Sequence, residues 1–154
     1  MLLLRKSYVL LPLGLAALLV GCVASGGGFL LSASGVGNAN FGFCASRVDS
    51  TIAGDFEYQD KGAGVRIHGA VTEFTNFGGN SSTFSGTYVS QNSKTPGTGT
   101  FSVTVVDNGE GGPPKGDTLS ISLIGGPFGG YTNSGAIQGG NIQVDPAPGA
   151  VCSS

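Results

Sequence analysis

From residue 40 onward, apolar and polar positions alternate with a period of two in short runs, and Gly, Asn, Asp and Pro separate the runs. In Asp55-Phe56-Glu57-Tyr58-Gln59 the aromatic rings project to one side and Asp55, Glu57 and Gln59 to the other. After a turn, Val65, Ile67 and Val71 oppose Arg66, His68 and Thr72 in the same way. Phe84 with Tyr88, Phe101 with Val103 and Val105, Leu119 with Ile121 and Leu123, and Ile142 with Val144 continue the apolar face. These rows predict the core. The strands they define run over 40–48, 54–59, 65–74, 83–90, 99–107, 118–124, 130–132 or a little beyond, and 139–144.

No stretch after residue 22 sustains a helical period with caps. The linkers instead carry hairpin chemistry: Asp60 to Gly64, Gly78-Gly79-Asn80, Asn92 to Gly97, and Asn108 to Pro114. Asn108-Gly109 suits positive φ, and Pro113-Pro114 cannot donate to a ladder. Strands joined this way predict an all-β fold, a single antiparallel meander of about eight strands closing into a barrel or a two-sheet sandwich. The pattern leaves both closures open.

The N-terminus breaks the pattern. Arg5 and Lys6 precede an uncharged apolar run from Tyr8 to Val20, which is the layout of a secretory signal and short of the about 20 apolar residues a membrane-spanning helix needs. Leu19-Val20-Gly21-Cys22 resembles the bacterial lipobox, and the resemblance implies cleavage before Cys22 and lipidation of its thiol. Two or more acyl chains on one residue suffice for stable membrane attachment. Val23 in place of Asp implies the outer membrane in a two-membrane bacterium. The competing reading is ordinary secretion with cleavage after Ala24. The expected organisation is a signal peptide over 1–21 with a helical core, a flexible Gly/Ser-rich tether over 22–38, and a β-domain over 39–154.

Composition narrows the function classes. Gly supplies 29 of 154 residues, and charged residues only 10%, which argues against coiled coils and charged bundles. The net charge of −2 becomes more negative once Arg5 and Lys6 are removed, so there is no basic field for nucleic acid. Two cysteines remain beyond Cys22, in a compartment that permits disulfides. Cys44 and Cys152 either form one bridge, tying the first predicted strand to the C-terminus, or stay as separate thiols.

Candidate chemistry is sparse. His68 is the single histidine, and alternation places it across a turn from Asp55 and Glu57, a carboxylate–imidazole set suited to acid–base work or to a solvated cross-strand charge face. Asp107, Asn108, Glu110 and Asp117 flank a glycine-rich loop with oxygen ligands of the kind Ca²⁺ takes, without EF-hand spacing. Tyr131 and Asn133, next to the stretch Gly125 to Gly130, form a candidate carbohydrate-facing platform, although Trp is absent. There is no G-x-S-x-G elbow, the glycine pairs precede no helix, and Asn80-Ser81-Ser82 reads as a turn.

The order of these pieces resembles the post-COAP domain, a bacterial extracellular β-domain. The likeness is carried by Ala39-Asn40-Phe41-Gly42-Phe43, Gly54-Asp55-Phe56-Glu57-Tyr58, Val65-Arg66-Ile67-His68-Gly69, Phe84-Ser85-Gly86-Thr87-Tyr88, Gly97-Thr98-Gly99-Thr100-Phe101 and Gly139-Gly140-Asn141-Ile142-Gln143-Val144. It implies a compact extracellular module and carries over no catalytic residue. The combined expectation is a non-enzymatic, lipid-anchored envelope module without a required cofactor, with a structural role or one in binding a surface polysaccharide or another envelope protein. The alternatives are a small hydrolase using Asp55, Glu57 and His68, and an assembly protein that pairs an edge strand with a neighbour.

Overall fold

The computed structural model describes residues 21–109, 116–145 and 152. Residues 1–20, where the expected signal peptide and its helix fall, Glu110 and Pro113-Pro114 lie outside the described residues. The chain forms nine strands: β1 (Gly21–Leu31), β2 (Asn38–Val48), β3 (Thr51–Asp60), β4 (Val65–Asn76), β5 (Ser81–Ser90), β6 (Thr98–Val106), β7 (Thr118–Ile124), β8 (Thr132–Ala136) and β9 (Gly139–Asp145). A three-residue 3₁₀ turn, Gly126–Phe128, joins β7 to β8. All eight strands expected from the alternation are present, with ends shifted by a few residues.

The strands make one antiparallel sheet in the order β8-β7-β6-β5-β4-β3-β2-β1-β9, curled into a half-barrel. The meander therefore holds from β1 to β8, and the last strand returns to the first. Hairpin turns alternate between the two ends of the sheet. One end holds the turns after β1, β3, β5 and β7; the other holds those after β2, β4 and β6 together with the start of β1.

Strand β1 is the main departure from the expected organisation, because it occupies residues read as a flexible tether. It pairs along its length with β2 and, from Val23 to Phe29, with β9. Its glycines serve close approach and not mobility. A Cβ on Gly26 would come within 2.8 Å of the Asn141 carbonyl and 3.0 Å of the Phe43 ring, and one on Gly28 would collide with the Gly139 carbonyl. Only Ser32 to Gly37 remains as a turn, so the expected tether contributes the strand that joins the two ends of the meander.

The core lies inside the curl. Every residue of the predicted apolar rows is buried. Leu30, Phe41, Phe43 and Phe74 join them from positions that had no face assigned. At the centre, Phe43 stacks on Phe84 with ring centroids 4.9 Å apart, and Phe56 lies 5.2 Å from Phe101 and 5.8 Å from Phe84. Each such fully buried ring contributes about 1.5–3 kcal/mol. A bulge between Val71 and Glu73 lets two successive residues face solvent and returns Phe74 to the interior.

Two further devices fix the curl. Cys44 and Cys152 form the disulfide, with Cα atoms 5.7 Å apart, and the Cys152 N–H donates to Ser46 Oγ at 3.1 Å. The bridge sits on the outer face of β2, because Cys44 alternates with the inward Phe43 and Ala45. At the open edge, the Ile142 and Val144 N–H groups of β9 donate to Asp117 Oδ2 (2.7 Å) and Asp107 Oδ2 (3.2 Å). Carboxylates thus replace the missing ladder where β9 meets the β6–β7 connection.

Candidate functional site

The densest polar arrangement in the interior lies where the turn after β1, the turn after β3 and the start of β8 meet. Asp60, the last residue of β3, is wholly buried. Its Oδ1 accepts from Ser32 Oγ (2.6 Å) and the Ala63 N–H (3.1 Å), and its Oδ2 from Tyr131 Oη (2.7 Å) and the Ala33 N–H (3.0 Å). Tyr131 Oη also lies 2.8 Å from Tyr58 Oη, and the Asn133 amide donates to Tyr58 Oη and to the Leu31 carbonyl, both at 2.9 Å. One carboxylate therefore ties together three segments distant in sequence.

Burial alone would raise the Asp60 pKa, but the donors from Ser32, Tyr131, Ala63 and Ala33 outweigh it and hold the carboxyl below its ordinary value. Both tyrosines are shifted upward. Desolvation is the largest cause for each, and for Tyr131 the bonds to Tyr58 and Asp60 add to it. At neutral pH the network is one carboxylate held by neutral hydroxyls and amides. Every oxygen of Asp60 is occupied by protein, so the cluster is built to fasten loops; a reacting substrate would have to displace those bonds.

This places two of the candidate residues inward. Tyr131 and Asn133 are half-buried and turned into the network, not displayed as a platform. Asn133 lies opposite Ile121, on the core side of β8. In the sequence Asp60 opens the linker Asp60 to Gly64. The alternation Phe56, Tyr58 carried on by two positions places Asp60 on the inner face, and that is the signal by which it can be found in the sequence.

Glu57 and His68 are direct cross-strand partners, with Oε1 and Nδ1 2.6 Å apart. Their side chains are 58% and 49% exposed, on the outside of the sheet. Asp55 lies opposite Ala70 and Cys44 on that outer side and makes no bond to the pair. The three candidate residues share the open outer face of β3 and β4.

In the acidic loop the described carboxylates bond backbone amides. Asp117 uses its second oxygen, Oδ1, on the Asn108 N–H (3.0 Å), and Asp107 Oδ1 accepts from the Gly109 N–H (2.9 Å). Both carboxylates are directed at backbone amides, the Asn108 amide donates to the Gly116 carbonyl, and Glu110 lies outside the described residues. Among the described residues no three His, Cys, Asp or Glu side chains gather as metal ligands. A shallow depression of about 280 Å³ adjoins the network, lined by Lys61, Arg66, Gln91, Asn92 and Ser93 at the turns after β3 and β5.

No protein-family model, curated protein or solved structure matches this chain.

Proposed function

We propose that the chain is a non-enzymatic, lipid-anchored module of the bacterial cell envelope, with a structural role or one in binding an extracellular polymer or protein, of the kind its resemblance to the post-COAP domain implies. One observation carries this reading: the buried Asp60 and Asp117 and the half-buried Asp107 are spent on the protein's own loops and edge strand, while the acid–base set on the surface stands open. Polar chemistry in this molecule serves shape.

Lipidation of Cys22 fits the fold in a specific way. A chain cut before Cys22 begins at the second residue of β1, where it pairs with Arg47, so no tether separates lipid from domain. The anchor then lies at the end of the sheet that carries the turns after β2 and β4. That end also presents Phe77, 65% exposed, to the bilayer surface. The end with the Asp60 network points away from the membrane.

Intact mass of the protein extracted from its own membrane tests the reading. A lipid-sized increment on a chain starting at Cys22 is expected; a chain cut after Ala24 without lipid would refute the anchor. The short Glu57–His68 contact favours one second reading, a small hydrolase using Asp55, Glu57 and His68. Turnover of ester, amide or glycoside substrates that vanishes in His68→Ala would establish it in place of the first.

A further inference from the structure

The outer surface of β5 to β8 differs from the rest of the molecule. These four strands contain no charged residue, whereas the outer side of β3 and β4 carries Asp55, Glu57, Arg66 and His68. With Phe84, Val103, Leu119 and Ile121 turned inward, the alternate positions face out, and all of them are Ser or Thr except Val89, Val106, Ile124 and Ala136.

Register aligns these hydroxyls into rows that cross the sheet. Thr75, Thr83, Thr104, Ser120 and Ser134 are successive partners across five strands. The neighbouring row runs Glu73, Ser85, Ser102, Ser122, Thr132. Spacing is about 4.8 Å between strands and about 6.8 Å between rows, so a row spans about 19 Å. A groove of about 350 Å³ opens beside them, with Thr87, Thr100 and Ile124 on its far side and Glu73 at its end.

We propose that this hydroxyl-lined face binds a neutral polysaccharide, laid across the strands along the rows; this deepens the polymer-binding reading above and rests on it. Each Ser or Thr is both donor and acceptor, as each sugar hydroxyl is. Thr83 and Thr104 bond each other at 2.8 Å and Ser85 donates to Glu73 at 2.8 Å, so the binding falls chiefly to Ser102, Ser120, Ser122, Thr132 and Ser134. The absence of any cation on the four strands, and the carboxylate at Glu73, select against polyanions. Val89 and Ile124 are the large apolar side chains exposed on these strands, too few for the core of a protein interface. Single hydroxyl contacts are individually weak in water, so binding depends on many of them at once. The ligand is therefore a chain and not a free sugar.

The test is co-sedimentation of the full detergent-extracted protein with insoluble neutral glycans, β-linked and α-linked, and with an anionic polysaccharide for comparison. Binding to a neutral glycan is expected to persist in 0.5 M salt, to resist competition by monosaccharide, and to fall at least tenfold in Ser102→Lys/Ser122→Lys. A second variant on the exposed edge, Thr132→Lys/Ser134→Lys, is expected to act the same way, and Arg47→Gln, an exposed residue of β2 away from this face, to leave binding unchanged. Circular dichroism melts check that each variant folds. Retained binding in both lysine variants would overturn the assignment of this face while leaving a polymer-binding module. No binding of wild type to any neutral glycan would overturn the ligand class. Ice-growth inhibition abolished by the same variants would show that the face orders water instead, and would also overturn it.

Discussion

Removing the single hydroxyl of Tyr131 probes the interior network most directly. Tyr131→Phe keeps the ring that packs 5.9 Å from Tyr58 and deletes the donor to Asp60 Oδ2. Tyr58 retains its Asn133 partner, and Asp60 retains Ser32, Ala33 and Ala63. Two bonds are lost, the one to the charged Asp60 acceptor and the one with Tyr58 Oη, together about 3 kcal/mol. For a domain of this size that lowers the midpoint of thermal unfolding by on the order of 10 °C. The pH dependence carries the sharper signature. Asp60 has a lowered folded-state pKa, so its contribution is complete above the unfolded value near 3.9 and disappears as pH falls through the folded value. Without Tyr131 the folded value rises toward normal, so the window below the unfolded value over which stability is lost narrows, and the variant shows the smaller acid-dependent loss. On the alkaline side, Tyr58 and Tyr131 are raised in the folded state, so their contribution is complete below about pH 10 and is lost above it, by about 1.4 kcal/mol per pH unit for each tyrosine. The variant should show the shallower alkaline slope. Denaturant unfolding at a series of pH values measures all of this, with Asp60→Asn completing a double-mutant cycle. Equal midpoints at pH 7, or parallel pH profiles for variant and wild type, would refute the argument.

Other consequences are simpler to state. Reduction of Cys44–Cys152, which spans 108 residues, should destabilise by up to about 5 kcal/mol in the chain-entropy account, read as a shift in denaturant midpoint with and without dithiothreitol. Asp117→Ala should cost about 3 kcal/mol, because it strands the buried Ile142 N–H and releases Asn108; amide hydrogen exchange along β9 should rise with it, and unchanged protection there would contradict the proposed edge closure. Ser82→Ala should stabilise by about 1 kcal/mol, since the Ser82 hydroxyl is buried on the inner face of β5 without a hydrogen-bond partner; a lower thermal midpoint would count against it.

Much of the architecture was legible in the sequence because period-two alternation determines both strand and face, and from Phe56 to Val144 nothing competes with it except the bulge at Val71–Glu73. The pairing of Cys44 with Cys152 was legible as one of two options, from compartment and count. What escaped was β1. Glycine carries no side chain by which to mark a face, so Ser25-Gly26-Gly27-Gly28 has the same composition whether it hangs free or threads between two backbones. The Asp60 network escaped for a related reason. A carboxylate before Lys61-Gly62 fits a solvated turn as well as a buried tie, and its partners Ser32 and Tyr131 come from segments that only the closed curl brings together. The Ser and Thr positions of β5 to β8 were visible one strand at a time, whereas their alignment in rows depends on register.

The way the curl closes also bears on assembly through an added strand. A strand can recruit a neighbour only through amides and carbonyls that are free along an edge. On β9 the Ile142 and Val144 amides are already taken by the Asp117 and Asp107 carboxylates, and an incoming strand would have to expel both. The other edge, β8, is five residues long, and its Asn133 side chain is bonded to the Leu31 carbonyl of β1, while Gln138, just beyond the strand, donates its N–H to the Phe29 carbonyl. Buried charge on one edge and brevity on the other are the means by which sheet proteins avoid pairing with copies of themselves. Both edges are thus closed to an added strand, and the proposed binding of a polymer would fall to the faces and turns, with the uncharged outer face of β5 to β8 the one proposed to carry it.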